Sequence, residues 1–147
     1  MHHQSDCVLE RAAHLIGQTR QYQKSASLYE SLGKRRLEFN LTKSCAGDHF
    51  FRCGLLYLAM GSTFHDKLKA KLDSFAETDF HFKTSPEYTF LFAVMETVNS
   101  NDISKFSDHA YFYDCVNPLD IWCLELLDGV RQSIQEAQPQ GTNAAEG

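Results

Sequence analysis

The stretch QYQKSASLYESLG, Gln21 to Gly33, decides the fold. Tyr22, Ser25, Ala26, Leu28, Tyr29 and Leu32 recur at helical spacing and a glycine follows the last of them, so the segment reads as a short amphipathic helix that stops at Gly33. Upstream, Cys7 to Gln18 carries Val8, Ala12, Leu15 and Ile16 on one side, and Thr19 to Tyr22 turns the chain. The two helices form an antiparallel hairpin. Ser25, with an aromatic four residues on at Tyr29, lets the paired helices approach closely while the ring fills the gap. A hairpin of this kind cannot bury its apolar face alone, so it must stack on further hairpins.

Working downstream, Lys34, Arg35 and Arg36 follow Gly33, and a third helix is expected from about Leu37 to Leu41 through Met60. Gly61, Ser62 and Thr63 punctuate the chain before HDKLKAKLDSF (65–75), whose Leu68, Leu72 and Phe75 predict a fourth helix. The segment ETDFHFKTSPE (77–87) reads as a polar, irregular connection, with Ser85 as N-cap and Pro86 at the first helical position of a fifth, buried helix, YTFLFAVMETV. ISKFSDHAYFY is a sixth, after the interruption at Asn99 to Asp102. Asn117 and Pro118 open a seventh, in which Leu119, Trp122, Cys123, Leu126, Leu127, Val130 and Ile134 repeat with a period near 3.6. Residues 1–5 read as an N-terminal extension or tag scar, 6–137 as one helical-repeat domain, and 138–147 as a flexible tail without apolar periodicity.

Composition narrows the functional classes. The 147 residues are 43% hydrophobic, enough for one core, and the net charge of −5 argues against nucleic acid or an anionic membrane as the dominant partner. Five cysteines form an odd set without framework spacing, which favours a reducing, cytoplasmic address. The richest apolar window, Phe50 to Met60, is broken by Arg52 and too short to span a bilayer, so any membrane association is peripheral.

Catalytic motifs are absent: there is no phosphate loop, dinucleotide fingerprint, nucleophile elbow or zincin helix. Cys45, His49 and Cys53 recur every four residues and share a helical face, with Asp48 beside them. Metal would require a fourth ligand, and no second Cys/His pair supplies one, so the trio reads as ordinary packing residues. No catalytic residue, metal or cofactor is assigned. Lys34, Arg35 and Arg36 form the densest basic run and read either as a solvated cap favoured by the helix dipole or as contacts for acidic partner helices. Glu96, Asp102, Asp108, Asp114, Asp120, Glu125 and Asp128 accumulate toward the C-terminal half and would attract a basic partner.

Taken together, QYQKSASLYESLG, the Lys-x-x-x-x-Asp-x-Phe-Phe-Arg helix from Lys43 to Arg52, and Leu-Asp-x-Trp from Leu119 to Trp122 resemble, in order, the C-terminal half of the α-type soluble NSF attachment proteins, over about Asp6 to Gln135. The resemblance implies an all-α fold, an α-α superhelix or TPR-like solenoid of antiparallel helix hairpins ending in a C-terminal helical bundle. It implies an adaptor, not an enzyme, that binds the SNARE four-helix bundle and recruits the NSF-type hexameric ATPase for its disassembly in vesicle fusion and intracellular protein transport. On that basis Arg11 and Lys43, with Lys34, Arg35 and Arg36, are the SNARE-facing basic residues, and Glu96 and Asp102 the ATPase-facing acids. Cys7, Gly47 and Pro86 stand where the family has basic contacts, and Gly61, Asn99 and Ser100 where it has acids. The end QPQGTNAAEG lacks the family's acidic, leucine-bearing tail. The family's N-terminal hairpins have no counterpart here, so a fragment or a shortened relative is expected. The alternative is a divergent helical-repeat scaffold that binds another partner, or SNAREs without activating the ATPase.

Overall fold

A computed structural model describes the backbone over residues 2–137 and the side chains over residues 7–136. Eight α-helices make up the fold among the described residues: α1 (His2–Gln18), α2 (Tyr22–Leu37), α3 (Ala46–Ala59), α4 (His65–Thr78), α5 (Phe80–Lys83), α6 (Pro86–Asn99), α7 (Ile103–Val116) and α8 (Ile121–Ala137). Single 3-10 turns at Lys43–Cys45 and Ser62–Phe64 lead into α3 and α4, and no strand occurs among the described residues. The helices pack in antiparallel pairs. The segment 138–147, expected to be a flexible tail, lies outside the described residues.

The first hairpin forms as its spacing predicts. Arg20 takes the left-handed backbone conformation (φ 69°) that reverses the chain after α1, and Ser25, fully buried, donates its hydroxyl to the Ala13 carbonyl at 2.6 Å across the pair. Gly33, however, does not end α2. The helix continues to Leu37, and Gly33 serves an interhelical purpose instead: a Cβ there would lie 2.4 Å from the Phe50 ring. Only hydrogen fits between α2 and α3 at that point, so the glycine marks a close approach and not a stop. The three cations thus occupy the last turn of α2 itself.

Three further boundaries differ from expectation. The third helix starts at Ala46, after a loop and 3-10 turn, and not near Leu37. The connection 77–87 holds a helical turn of its own, α5, because Phe82 is a core residue at 1% exposure and Asp79 caps the turn by accepting from the His81 N–H at 3.1 Å. The last helix starts at Ile121: Asp120 is its cap, accepting from the Cys123 N–H at 2.8 Å, while Asn117 is the C-terminal cap of α7, its N–H donating to the Tyr113 carbonyl. Asn117 and Pro118 therefore belong to the link. Where the cap residues were read directly they hold, since Ser85 accepts from the Tyr88 N–H at 3.2 Å with Pro86 at the start of α6.

Helix α3 is the axis. It touches α2, α4, α6 and α8, and ten of its residues are buried. Phe50 stacks on Phe75 (centroids 4.2 Å apart) and meets Phe82 edge-on at 5.6 Å, which fixes α4 and α5. On its other side Phe51 stacks on Tyr113 at 5.6 Å and Tyr113 on Phe90 at 4.4 Å, which fixes α6 and α7. Offset ring pairs like these add about 1 kcal/mol each beyond the area they bury. Trp122 of α8 completes the core against Tyr29 at 5.8 Å. No helix among the described residues is long and apolar enough to cross a membrane.

Candidate protein-docking surfaces

Arg52 sits where α1, α3 and α8 converge. An arginine inside an otherwise apolar helix needs partners, and it has several. Nη2 donates to Asp120 at 2.8 Å, Nε to Asp48 at 3.4 Å and Nη1 to the Cys123 sulfur at 3.5 Å, with the guanidinium 5.5 Å from the Trp122 ring centre. Burial alone would weaken its charge, but the carboxylates of Asp120 and Asp48 beside it raise its pKa instead. Burial likewise pulls Asp120 upward, and the Cys123 N–H together with Arg52 holds it below the usual carboxylate range. The Cys123 thiol is pushed up to about 12 by burial and stays protonated.

Two hollows open on either side of this ion pair, and both are lined by Arg52 and Asp120. One, of about 370 Å³, has Cys7, Glu10, Arg11 and His14 of α1 on its wall. The other, of about 380 Å³, has Asp48, Glu87, Val116 and Leu119. Arg11 thus joins a rim shared with the neighbours of Gly47 and Pro86, and Lys43 is exposed on the 3-10 turn preceding α3. Arg11, Asp48 and Glu87, separated by tens of residues in the chain, come to either side of the Arg52–Asp120 pair because α2 holds α1 and α3 holds α6 and α8.

The basic run divides. Lys34 points outward and pairs with Glu30 at 2.8 Å, and Glu30 also takes Lys71 of α4 at 2.8 Å. Arg35 is half-buried. Arg36 turns inward, at 9% exposure, with Nε 3.4 Å from His49 Nε2 and Nη2 3.8 Å from Glu10. As a partner-facing cation Arg36 is therefore corrected to an internal one: at the last turn of α2, one side of the helix faces α3. Burial lowers the His49 pKa, and because Nε2 accepts from Arg36 the ring proton lies on Nδ1, which has no partner.

Cys45, His49 and Cys53 do not converge on a site. Cys45 is exposed, while His49 and Cys53 are buried, and burial raises the Cys53 pKa. No group of three or more His, Cys, Asp or Glu suited to a metal ion occurs among the described residues.

At the other end of α6, Glu96 is exposed. Asp102 is occupied in capping α7, accepting from the Lys105 N–H at 3.0 Å. Gly61 and Asn99 line one hollow of about 270 Å³ with Val130 and Ile134 of α8, and Asn99 binds His65 Nδ1 at 2.7 Å. Gly61 uses the left-handed backbone (φ 104°) open to glycine to enter its turn. Of the positions singled out as replaced acids, Gly61 at the α3–α4 turn and Asn99 at the α6–α7 turn therefore meet at one hollow although far apart in sequence, and Ser100 follows Asn99 directly. Sequence reading missed the Arg52 centre and Glu87. The available signals were the charge interrupting the Phe50–Met60 run and the two short motifs that contain Arg52 and Asp120.

The family model for soluble NSF attachment protein, SNAP, matches residues 2–135. The chain is 30% identical over 128 residues to the probable vesicular-fusion protein sec17 homolog of Schizosaccharomyces pombe, covering 87% of this chain and 44% of that protein. It is 30% identical over 125 residues to the alpha-soluble NSF attachment protein of Vitis vinifera (85% and 43%) and 28% over 131 residues to that of Mus musculus (88% and 42%). The chain spans less than half the length of these curated relatives.

Proposed function

The chain belongs to the soluble NSF attachment protein family, a family of adaptors and not of enzymes, and from that premise we propose that it is an adaptor that grips a SNARE four-helix bundle along the α1/α3/α6 rim and offers its α3–α4/α6–α7 end to an NSF-type ATPase. The paired helices are then a length of α-α superhelix closed by a C-terminal bundle. Residues 6–137 act as one domain, in the cytoplasm and peripheral to membranes through its partners.

One observation carries the reading: the two hollows flanking the Arg52–Asp120 pair bring Cys7, Arg11, Asp48 and Glu87 to one edge. Charged groups spread along an edge suit a rod-shaped partner, where each exposed contact adds up to about 1 kcal/mol and the set governs association rate and register. Arg11 and Lys43 are the contacts, with Arg35 and Lys34 as further basic groups, Lys34 on the α4 side of α2 where it shares Glu30 with Lys71; Arg36 supports the rim from inside. Glu96 is the exposed acid for the ATPase, and Asp102 contributes field from its capping position.

The test is retention of an assembled SNARE bundle at physiological salt. Arg11→Glu with Lys43→Glu weakens it by about tenfold, two charge reversals at about 0.7 kcal/mol each; unchanged retention overturns the assignment. Glu96→Lys is expected to lower capture of the ATPase hexamer while leaving SNARE retention intact. A scaffold serving a different partner is the second reading. It is favoured by Gly61, Asn99 and Ser100 standing where the family's acids are expected, and it predicts normal fold, no SNARE retention and indifference to both sets of reversals.

A further inference from the structure

Between the α1–α2 turn and helix α8 runs a trough of about 770 Å³ that the rim and the acidic end do not include. Trp122, at 6% exposure, forms its floor. The ring lies that low because Gly17 has no side chain; a Cβ there would stand 3.0 Å from it. On the α8 wall, Ile121, Glu125, Asp128 and Gln132 follow one another at intervals of four, three and four, so they form a single outward row along the helix. Ile121 is 76% exposed and Leu124 42%, both large apolar side chains left uncovered at the trough's edge. Gly129 lies in the same wall, with open space where a Cβ would be. A second backbone can approach α8 closely there.

The charges are complementary to one kind of partner. Glu125 has no hydrogen-bond or ion-pair partner among the described residues. Asp128 is held by Arg131 at 2.8 and 3.1 Å and by Gln132 at 3.0 Å. Arg20 faces them from the α1–α2 turn. Among the residues that line the trough the acids are Glu125 and Asp128 and the cation is Arg20; with Asp128 engaged by Arg131, Glu125 is the carboxylate left to meet an incoming cation. An apolar floor with uncovered aliphatic edges and an acidic wall is the receptor side of helix-in-groove recognition.

We infer that this trough is a docking site for a basic amphipathic helix of a partner protein, with apolar residues seated over Trp122 and Leu124 and a lysine or arginine opposite Glu125. The inference is independent of SNARE retention by the rim, and either can fail without the other.

The test uses the full chain and a tryptophan-free peptide of about 18 residues, long enough for a marginally stable helix, built from leucine and lysine with the leucines on one helical stripe. Trp122 is the only tryptophan of the chain, so its emission reports occupancy of the trough directly. The expected result is a saturable emission shift. A scrambled leucine–lysine peptide and a leucine–glutamate peptide with the same stripe should bind at least about tenfold more weakly. Leu124→Asp and Glu125→Lys each weaken the striped peptide by about fivefold or more, whereas Glu77→Lys, the same charge change at an exposed position of α4, leaves it within about twofold. Both altered side chains are exposed, and circular dichroism confirms that the variants are folded. Four results overturn the inference: binding without an emission change, equal affinity for the scrambled peptide, equal loss in Glu77→Lys and Glu125→Lys, or a self-associated chain whose dimer Leu124→Asp breaks.

Discussion

Helices α3 and α7 have the same length and similar aromatic content, yet one disappears into the core and the other stands at its edge. In α3, Phe50, Phe51 and Tyr57 are all buried, because α2, α4, α6 and α8 surround the helix. In α7 the single residue buried is Phe106, while Tyr111 and Phe112 are 68% and 67% exposed; α7 leans mainly on α6 and α8, with Tyr113 reaching Phe51 of α3. The contrast teaches that aromatic content does not determine where a helix lies. What separates the two is the number of neighbours, and the narrow approach at Gly33 is what allows α3 so many.

That contrast can be broken most severely at Gly33. Replacing it with leucine drives a branched side chain into Phe50, whose ring is already pinned by Phe75 and Phe82, so we expect a loss of about 3 kcal/mol or more in urea unfolding. A Gly33→Leu protein with unchanged midpoint would mean that the α2–α3 seam can open without cost. Arg52→Ala comes next. It releases α8 from α3 and strands Asp120, which is half exposed and can rehydrate, so about 2 kcal/mol is the expected loss. Hydrogen exchange resolved by residue is expected to rise in α8 first.

The third probe of the buried side is pH. His49 is held neutral by burial, beside Glu10 and Asp48, which favour its charge, and Arg36 and Arg52, which oppose it. Its folded pKa lies below the ordinary 6.5, so as pH falls the unfolded chain takes up the proton first. The contribution is complete above about 6.5 and is lost as the pH drops through the lowered folded value. Stability measured between about pH 7.5 and 5.5 should therefore decline, and the decline should be shallower in His49→Gln; equal slopes would remove His49 as its cause. The exposed side gives the smallest effect. Phe112→Ser alters stability by no more than about 0.5 kcal/mol, since the ring covers little of the core. A loss comparable to that of Gly33→Leu would erase the distinction between the two helices.

Much of this arrangement was legible beforehand because the signals are local. The Ser25 and Tyr29 spacing, the Ser85–Pro86 start and the 3.6-residue repeat after Leu119 each depend on neighbours within a turn or two. Gly33 was misread for the opposite reason: a glycine after an apolar stripe looks the same whether it ends a helix or admits a ring from another one. Phe82 was hidden in a polar stretch because one aromatic residue shows no period. Asp120 was overlooked as a cap because Asn117 and Pro118, three residues earlier, make an equally good start by composition.

The candidate surfaces were legible only in part. Arg11, Lys43 and Glu96 are assigned by resemblance to the family, position by position, and the structure leaves all three exposed. Arg36 shares the basic run but not its direction, since a helix sends consecutive residues about 100° apart and one of them had to meet α3. Arg52, which lines both hollows, was legible only as a motif residue with no partner assigned, and Glu87, which lines one of them, belongs to a segment that reads as a plain core helix.

From its order of amino acids alone, the chain is all-helical, hairpin-based, without a catalytic motif, and similar to one adaptor family; these properties follow from periodicity and short motifs, which act over a few residues. Which cations face solvent, which glycine admits a ring, and which distant residues share a rim or a trough were decided by tertiary packing. Those outcomes depend on contacts between residues far apart in the chain, and the distance of closest approach between two helices is set by both partners at once.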